Sequence, residues 1–104
     1  MIVEERNYTL KAGKAGEFMA LYQQRGLEIQ TRILGNLLGY FLSEIGELNV
    51  AVHMWGYDSL EERTRRRALL LQEEEWRGYI AAVTPLIDRM TNRILVPTAF
   101  SPIR

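Results

Sequence analysis

His53 is the only histidine in this chain of 104 residues. Near neutral pH an imidazole can exchange a proton, ligate haem iron, or hydrogen-bond as a buried polar group. It sits in the run Val50-Ala51-Val52-His53-Met54-Trp55-Gly56-Tyr57, which alternates as a strand does. Val50, Val52 and Met54 then share one face, and Asn49, Ala51, His53, Trp55 and Tyr57 share the other. The aliphatic face suits packing beneath helices. The aromatic and polar face predicts cover by a partner chain or a ligand. Near the start, Glu4, Arg6 and Tyr8 share a face of another alternating run, while Val3, Glu5, Asn7 and Thr9 form an opposite face too polar to mark which side is internal. If these two runs are neighbours, Arg6, Tyr8, His53 and Trp55 converge. A guanidinium, a phenol, an imidazole and an indole together suit a planar or anionic small molecule. Tyr40 and Glu44 fall on one face of a further run and would rim the same cavity. The candidates for catalysis are therefore His53, Arg6 and Tyr8. Those for ligand binding are Arg6, Tyr8, Tyr40, Glu44, His53 and Trp55. A plainer alternative stays open: an interface network that pairs Arg6 with Glu4 or Glu44, beside a structural His53. A mid-strand histidine is a poor match for haem ligation.

Thirteen basic residues balance thirteen acidic ones. A neutral chain exerts no general pull on nucleic acid or anionic lipid, and neither is an expected partner. Arg63, Arg65, Arg66 and Arg67 spread around a helix instead of forming a stripe, and Glu61 and Glu62 stand four residues before Arg65 and Arg66. This predicts a solvated, self-paired helix. There is no cysteine, so disulfides, thiolate catalysis and Cys-based zinc sites are excluded. No phosphate-binding glycine loop or G-x-S-x-G elbow is present. No metal or cofactor is expected. No apolar run approaches the ~18 residues that span a bilayer. The start, Met-Ile-Val-Glu-Glu-Arg, does not read as a secretory signal, and a cytoplasmic location is expected.

The elements that must position these residues follow from periodicity and punctuation. Ile2–Leu10 reads as a strand that ends at the turn-like Lys11-Ala12-Gly13-Lys14. A helix is predicted from about Ala15 to Ile33, with Phe18, Leu21, Tyr22, Arg25, Ile29 and Ile33 on one stripe and the stem of Arg25 lying along it. Leu38–Ile45 and Val50–Tyr57 read as strands joined by a tight turn at Gly46-Glu47-Leu48-Asn49. Asp58-Ser59 predicts the cap of a helix over Leu60–Gln72. A second short helix follows, with Trp76, Tyr79, Ile80, Val83 and Ile87 on one face and a kink or end near Thr84 before Pro85. The last strand is predicted over Arg93–Thr98, then a surface tail. The order is βαββαβ, a ferredoxin-like α+β arrangement. It has an antiparallel four-stranded sheet, helices on one face and a broken second helix, in a single domain over residues 1–104. The large residues on the Trp55 face predict a homodimer of face-to-face sheets.

Several segments resemble the NIPSNAP family. They are Arg6-Asn7-Tyr8-Thr9-Leu10 with Gly13-Lys14, Glu44-Ile45-Gly46-Glu47-Leu48-Asn49, His53-Met54-Trp55, and Tyr57-Asp58-Ser59-Leu60. Trp76, Tyr79, Pro85-Leu86-Ile87 and Asn92-Arg93-Ile94-Leu95 extend the likeness over nearly the whole chain. The resemblance implies a dimeric α+β barrel. That superfamily includes antibiotic-biosynthesis monooxygenases, haem-degrading enzymes and lactone isomerases. It implies no catalytic motif to carry over. Three functions are therefore expected to compete. The first is a homodimer holding a small planar or anionic molecule between sheet and partner. The second is a cofactor-free monooxygenase or isomerase. The third is a protein-interaction module without a small ligand. The mitochondrial and vesicle-traffic roles linked to eukaryotic members are not expected here.

Overall fold

The computed structural model describes residues 1–104. Strand β1 (Ile2–Leu10) is followed by helix α1 (Ala15–Leu21), a π-helical turn (Tyr22–Gly26) and helix α2 (Leu27–Leu34). Strands β2 (Asn36–Leu42) and β3 (Val50–Tyr57) form the hairpin. Helices α3 (Leu60–Gln72) and α4 (Glu74–Val83), a 3-10 turn (Thr84–Leu86) and strand β4 (Ile87–Leu95) complete the chain. The four strands lie in the order β2-β3-β1-β4, and every pairing is antiparallel. This is the βαββαβ ferredoxin-like architecture, with a sheet and one helical layer. No helix is long and apolar enough to cross a membrane.

The first helical segment bends its register at the π-turn. A π-turn adds a residue to one turn. The inward positions become Phe18, Tyr22, Gly26, Ile29 and Leu34, while Arg25 is exposed instead of lying along the stripe. Gly26 is needed for contact: a Cβ there would lie 2.9 Å from a Tyr22 ring carbon and 3.0 Å from Tyr79 Cζ. Gly35, at φ 94°, ends α2 in a conformation that L side chains rarely adopt. Ser59 caps α3 by accepting from the Glu62 N–H at 3.1 Å.

Two strands, β2 and β4, differ from expectation in their boundaries. β2 begins and ends earlier than Leu38–Ile45, with a register shift between Leu37 and Gly39. Glu44 and Ile45 fall in a longer loop, where Gly46 and Asn49 take positive φ. β4 begins at Ile87, not Arg93, and pairs with β1 from Leu10↔Ile87 to Val3↔Leu95. Its Asp88, Arg89, Asn92 and Arg93 are poor strand formers locally. Asp88, Arg89 and Arg93 are also the kind of charged residues that protect an edge strand.

The expected face assignment is reversed. Ala51, His53, Trp55 and Tyr57 are buried, and the core joins them to Phe18, Tyr22, Trp76 and Tyr79 from the helical layer. The chain's own helices therefore cover the aromatic and polar side of the sheet. Val50, Val52 and Met54 occupy the other, open side and are only half-buried. There Val3, Leu38, Met54 and Leu95 form a shallow groove with Val96, Pro97, Ser101 and Ile103 of the C-terminal tail.

Candidate functional site

A cavity of about 150 Å³ lies between the sheet and the helices of the same chain. This replaces the expected site between sheet and partner, because the aromatic face turns inward. Its floor comes from all four strands: Arg6 and Tyr8 on β1, Tyr40 on β2, His53 on β3, Ile87 and Met90 on β4. The roof comes from Tyr22 and Gln30 on the first helical segment, Arg67 and Leu71 on α3, and Trp76 and Tyr79 on α4.

Strand pairing sets the floor. Arg6 lies opposite His53 across β1 and β3, and Tyr40 lies opposite His53 across β2 and β3. Paired residues share a sheet face. The His53 ring stacks on Tyr40 at 4.5 Å with a 12° interplanar angle, and Tyr8 meets it edge-on at 4.9 Å. Tyr22 packs on Tyr40 at 4.7 Å and donates its hydroxyl hydrogen bond to Gln30 Oε1 at 2.7 Å. Burial raises the pKa of the Tyr22, Tyr40 and Tyr79 phenols above the usual tyrosine value. The walls are therefore neutral rings.

Behind the floor stands a saturated ion cluster. Glu4 is buried and accepts from Arg6 Nη1 at 3.0 Å, Arg63 Nη2 at 2.7 Å and Asn92 Nδ2 at 2.8 Å. Burial alone would raise its pKa. The hydrogen bonds from Arg63 and Asn92, with the charge of Arg6, instead hold it down at about 2. Arg6 also donates from Nε to the Tyr8 hydroxyl at 3.1 Å. The network alternative for Arg6 is thus realised with Glu4, inside the protomer, and Arg6 faces the cavity as well.

His53 is oriented by Trp55, whose indole Nε1–H donates to His53 Nδ1 at 2.7 Å. An indole nitrogen can only donate. Nδ1 is therefore bare, and the proton of the neutral ring sits on Nε2. That buried Nε2 has no partner. Burial, then the charges of Arg6 and Arg67, lower the His53 pKa to about 3, so the ring is neutral at pH 7. Two further buried polar atoms lack partners: Arg67 Nη1 and the Tyr57 hydroxyl.

Of the residues singled out in the sequence, Arg6, Tyr8, Tyr40 and His53 line the cavity. Trp55 does not, but it sets the tautomer of His53. Glu44 is exposed in the loop after β2, away from the others. Arg67, Tyr22, Trp76 and Tyr79 belong to the site and were not anticipated. The solvated reading of the arginine cluster holds for Arg66, paired with Glu62 at 2.9 Å. It fails for Arg63 and Arg67, which point inward to Glu4 and to the cavity. Arg63, Arg67 and the buried Leu70 follow an i, i+4, i+7 spacing, the one signal that would have found them.

The NIPSNAP family model matches residues 3–102. A solved NIPSNAP family protein from Agrobacterium tumefaciens is 48% identical, covers 99% of this chain with 98% of its own, and superposes with a TM-score of 0.97. The Dictyostelium discoideum Protein NipSnap homolog is 36% identical over 94 residues, which are 90% of this chain and 41% of that protein. The chain thus spans less than half the length of that relative. A putative antibiotic biosynthesis monooxygenase from Nitrosomonas europaea shares the fold at TM-score 0.69 and 11% identity, covering 93% of this chain and 98% of its own.

Proposed function

The chain belongs to the NIPSNAP family, and we propose that it acts as a homodimer in which each protomer holds a small ring-bearing molecule between its own sheet and helices. One observation carries this reading: the cavity. A core built only for stability is filled to the density of a crystal and keeps charges out. This one leaves about 150 Å³ open, walled by Tyr8, Tyr22, Tyr40, Trp76 and Tyr79, with Arg6, Arg67 and His53 among its lining. A space of ~150 Å³ accepts a single six-membered ring. The dimer draws support from the open face of the sheet, where Val50, Val52 and Met54 are half-buried and Phe41 is 56% exposed. A second copy would cover that face by sheet-on-sheet packing.

The monooxygenase or isomerase reading, with His53 as base, fits less well. Its free nitrogen carries the proton, and its bare nitrogen is occupied by Trp55. A donor at rest in this tautomer positions a ligand; it does not abstract from one.

Native mass spectrometry of gently purified protein tests both parts. The expected species has twice the 12.1 kDa chain mass plus a small mass lost on denaturation. A species at the chain mass would remove the dimer. A clean dimer, unresponsive to single-ring probes in NMR titration, would remove the ligand. Val52→Glu, on the open face, should yield monomer while leaving the cavity intact.

A further inference from the structure

We propose that the molecule held in this cavity is a single-ring monocarboxylate, anchored by the charge of Arg67 with His53 Nε2–H as a neutral donor. The proposal rests on the reading that the cavity binds a small molecule, and it names the chemical class.

The charges behind the cavity are unevenly matched. Arg6 and Arg63 both bond to Glu4, the one buried carboxylate. Arg67 forms no ion pair; its Nη1 is shielded from water and bonds to nothing. No aspartate or glutamate lines the cavity. A guanidinium with one nitrogen shielded from water and no counter-charge is costly, and an acceptor carrying one negative charge reduces that cost. The second unpartnered donor, His53 Nε2–H, also belongs to a cavity-lining residue. Both orphaned groups donate, and neither accepts. They therefore select an acceptor-only group, which an ionised carboxylate is. Its planar fork also matches a guanidinium edge.

The remaining features set charge and size. Arg6 and Arg63 already share Glu4, and Arg67 alone bonds to no carboxylate, so it calls for one further carboxylate. A volume of about 150 Å³ with aromatic walls holds one ring and a carboxylate, not a nucleotide or an acyl chain. Tyr8, Tyr40 and Tyr79 offer ring faces and edges against which a flat ligand can pack.

The test titrates the intact chain at low salt with benzoate and with its uncharged isostere benzamide, following backbone and indole N–H resonances by NMR. Benzoate is expected to bind about tenfold or more tightly than benzamide, one per chain. Arg67→Met should abolish that preference, whereas Arg67→Lys should retain part of it. Equal affinities in the unmodified protein would overturn the carboxylate proposal while the cavity reading stands. That comparison needs no variant to fold. Perturbation of cavity residues by neither probe would overturn the cavity reading itself. Undiminished benzoate affinity in Arg67→Met would remove Arg67 as the anchor.

Discussion

The Trp55 indole N–H donates to Nδ1 of His53 at 2.7 Å, between two side chains that are 0% and 1% exposed. The bond fixes which nitrogen carries the proton and which way the ring faces. Its removal should be felt in both respects. Nitrogen-15 NMR of the imidazole at pH 7 is expected to show the Nε2–H tautomer. Trp55→Phe should release the ring into a mixture of tautomers. His53→Ala leaves the indole N–H buried and unpaired, and should cost about 1–3 kcal/mol for that group alone in chemical denaturation. A wild-type imidazole titrating near its ordinary value would contradict the bond.

Stability should fall with acid in two overlapping stages. The His53 pKa is lowered from 6.5 to about 3 on folding, so between these values the unfolded chain binds the proton more readily. Its contribution is complete above pH 6.5 and is lost progressively as pH falls toward 3. Glu4, lowered from 4.5 to about 2, contributes in full above 4.5 and loses that contribution as pH falls through 2. Together they amount to several kcal/mol in order of magnitude. Urea midpoints measured from pH 7.5 to 3 should show the loss beginning below 6.5. His53→Gln should delay its onset to below about 4.5. Glu4→Gln should instead lower stability at neutral pH, leaving Arg6 and Arg63 without their carboxylate.

Gly26→Ala should be disruptive although alanine is the better helix former. The added carbon meets the Tyr22 and Tyr79 rings at 2.9–3.1 Å. Both rings line the cavity. Overpacking of this kind costs about 1–3 kcal/mol. Thermal melts should show the loss, and any probe that enters the cavity should bind more weakly. An unchanged melting temperature would mean that the rings move aside freely.

Arg67→Met should raise the melting temperature of the ligand-free protein. The substitution removes a half-buried guanidinium whose Nη1 bonds to nothing and keeps an apolar stem against the roof. A side chain that serves a site is retained at the expense of stability, and one that serves the fold is not. Scanning calorimetry decides the matter. A fall in melting temperature would assign Arg67 a structural role.

Much of the architecture was legible along the chain. The alternation of Val50–Tyr57, the Asp58-Ser59 cap and the stop at Pro85 each act over a few residues. Such signals survive whatever surrounds them. β4 was only partly legible. Asp88, Arg89, Asn92 and Arg93 have little strand preference, and that segment is extended because β1 offers a ladder of partners. The π-turn was likewise unreadable, being one extra residue accommodated by Tyr22, Gly26 and Tyr79 packing together.

The sequence by itself determined the order of elements, the α+β class, the two faces of β3 and the grouping of Arg6 with Tyr8 and of His53 with Trp55. These rest on the period of two in a strand and on local turn chemistry. Only the tertiary structure decided which face of the sheet lies inside. Both were chemically admissible: three aliphatic residues on one side, aromatic and polar ones on the other. The choice turned on partners distant in sequence. Arg63 and Asn92 satisfy Glu4, Trp55 bonds to His53 Nδ1, and the Tyr22 and Tyr79 rings roof the cavity above them. A face bearing charge can be buried once its charges are bonded. That bonding links residues as far apart as Glu4 and Asn92, and no pattern within one strand reports it.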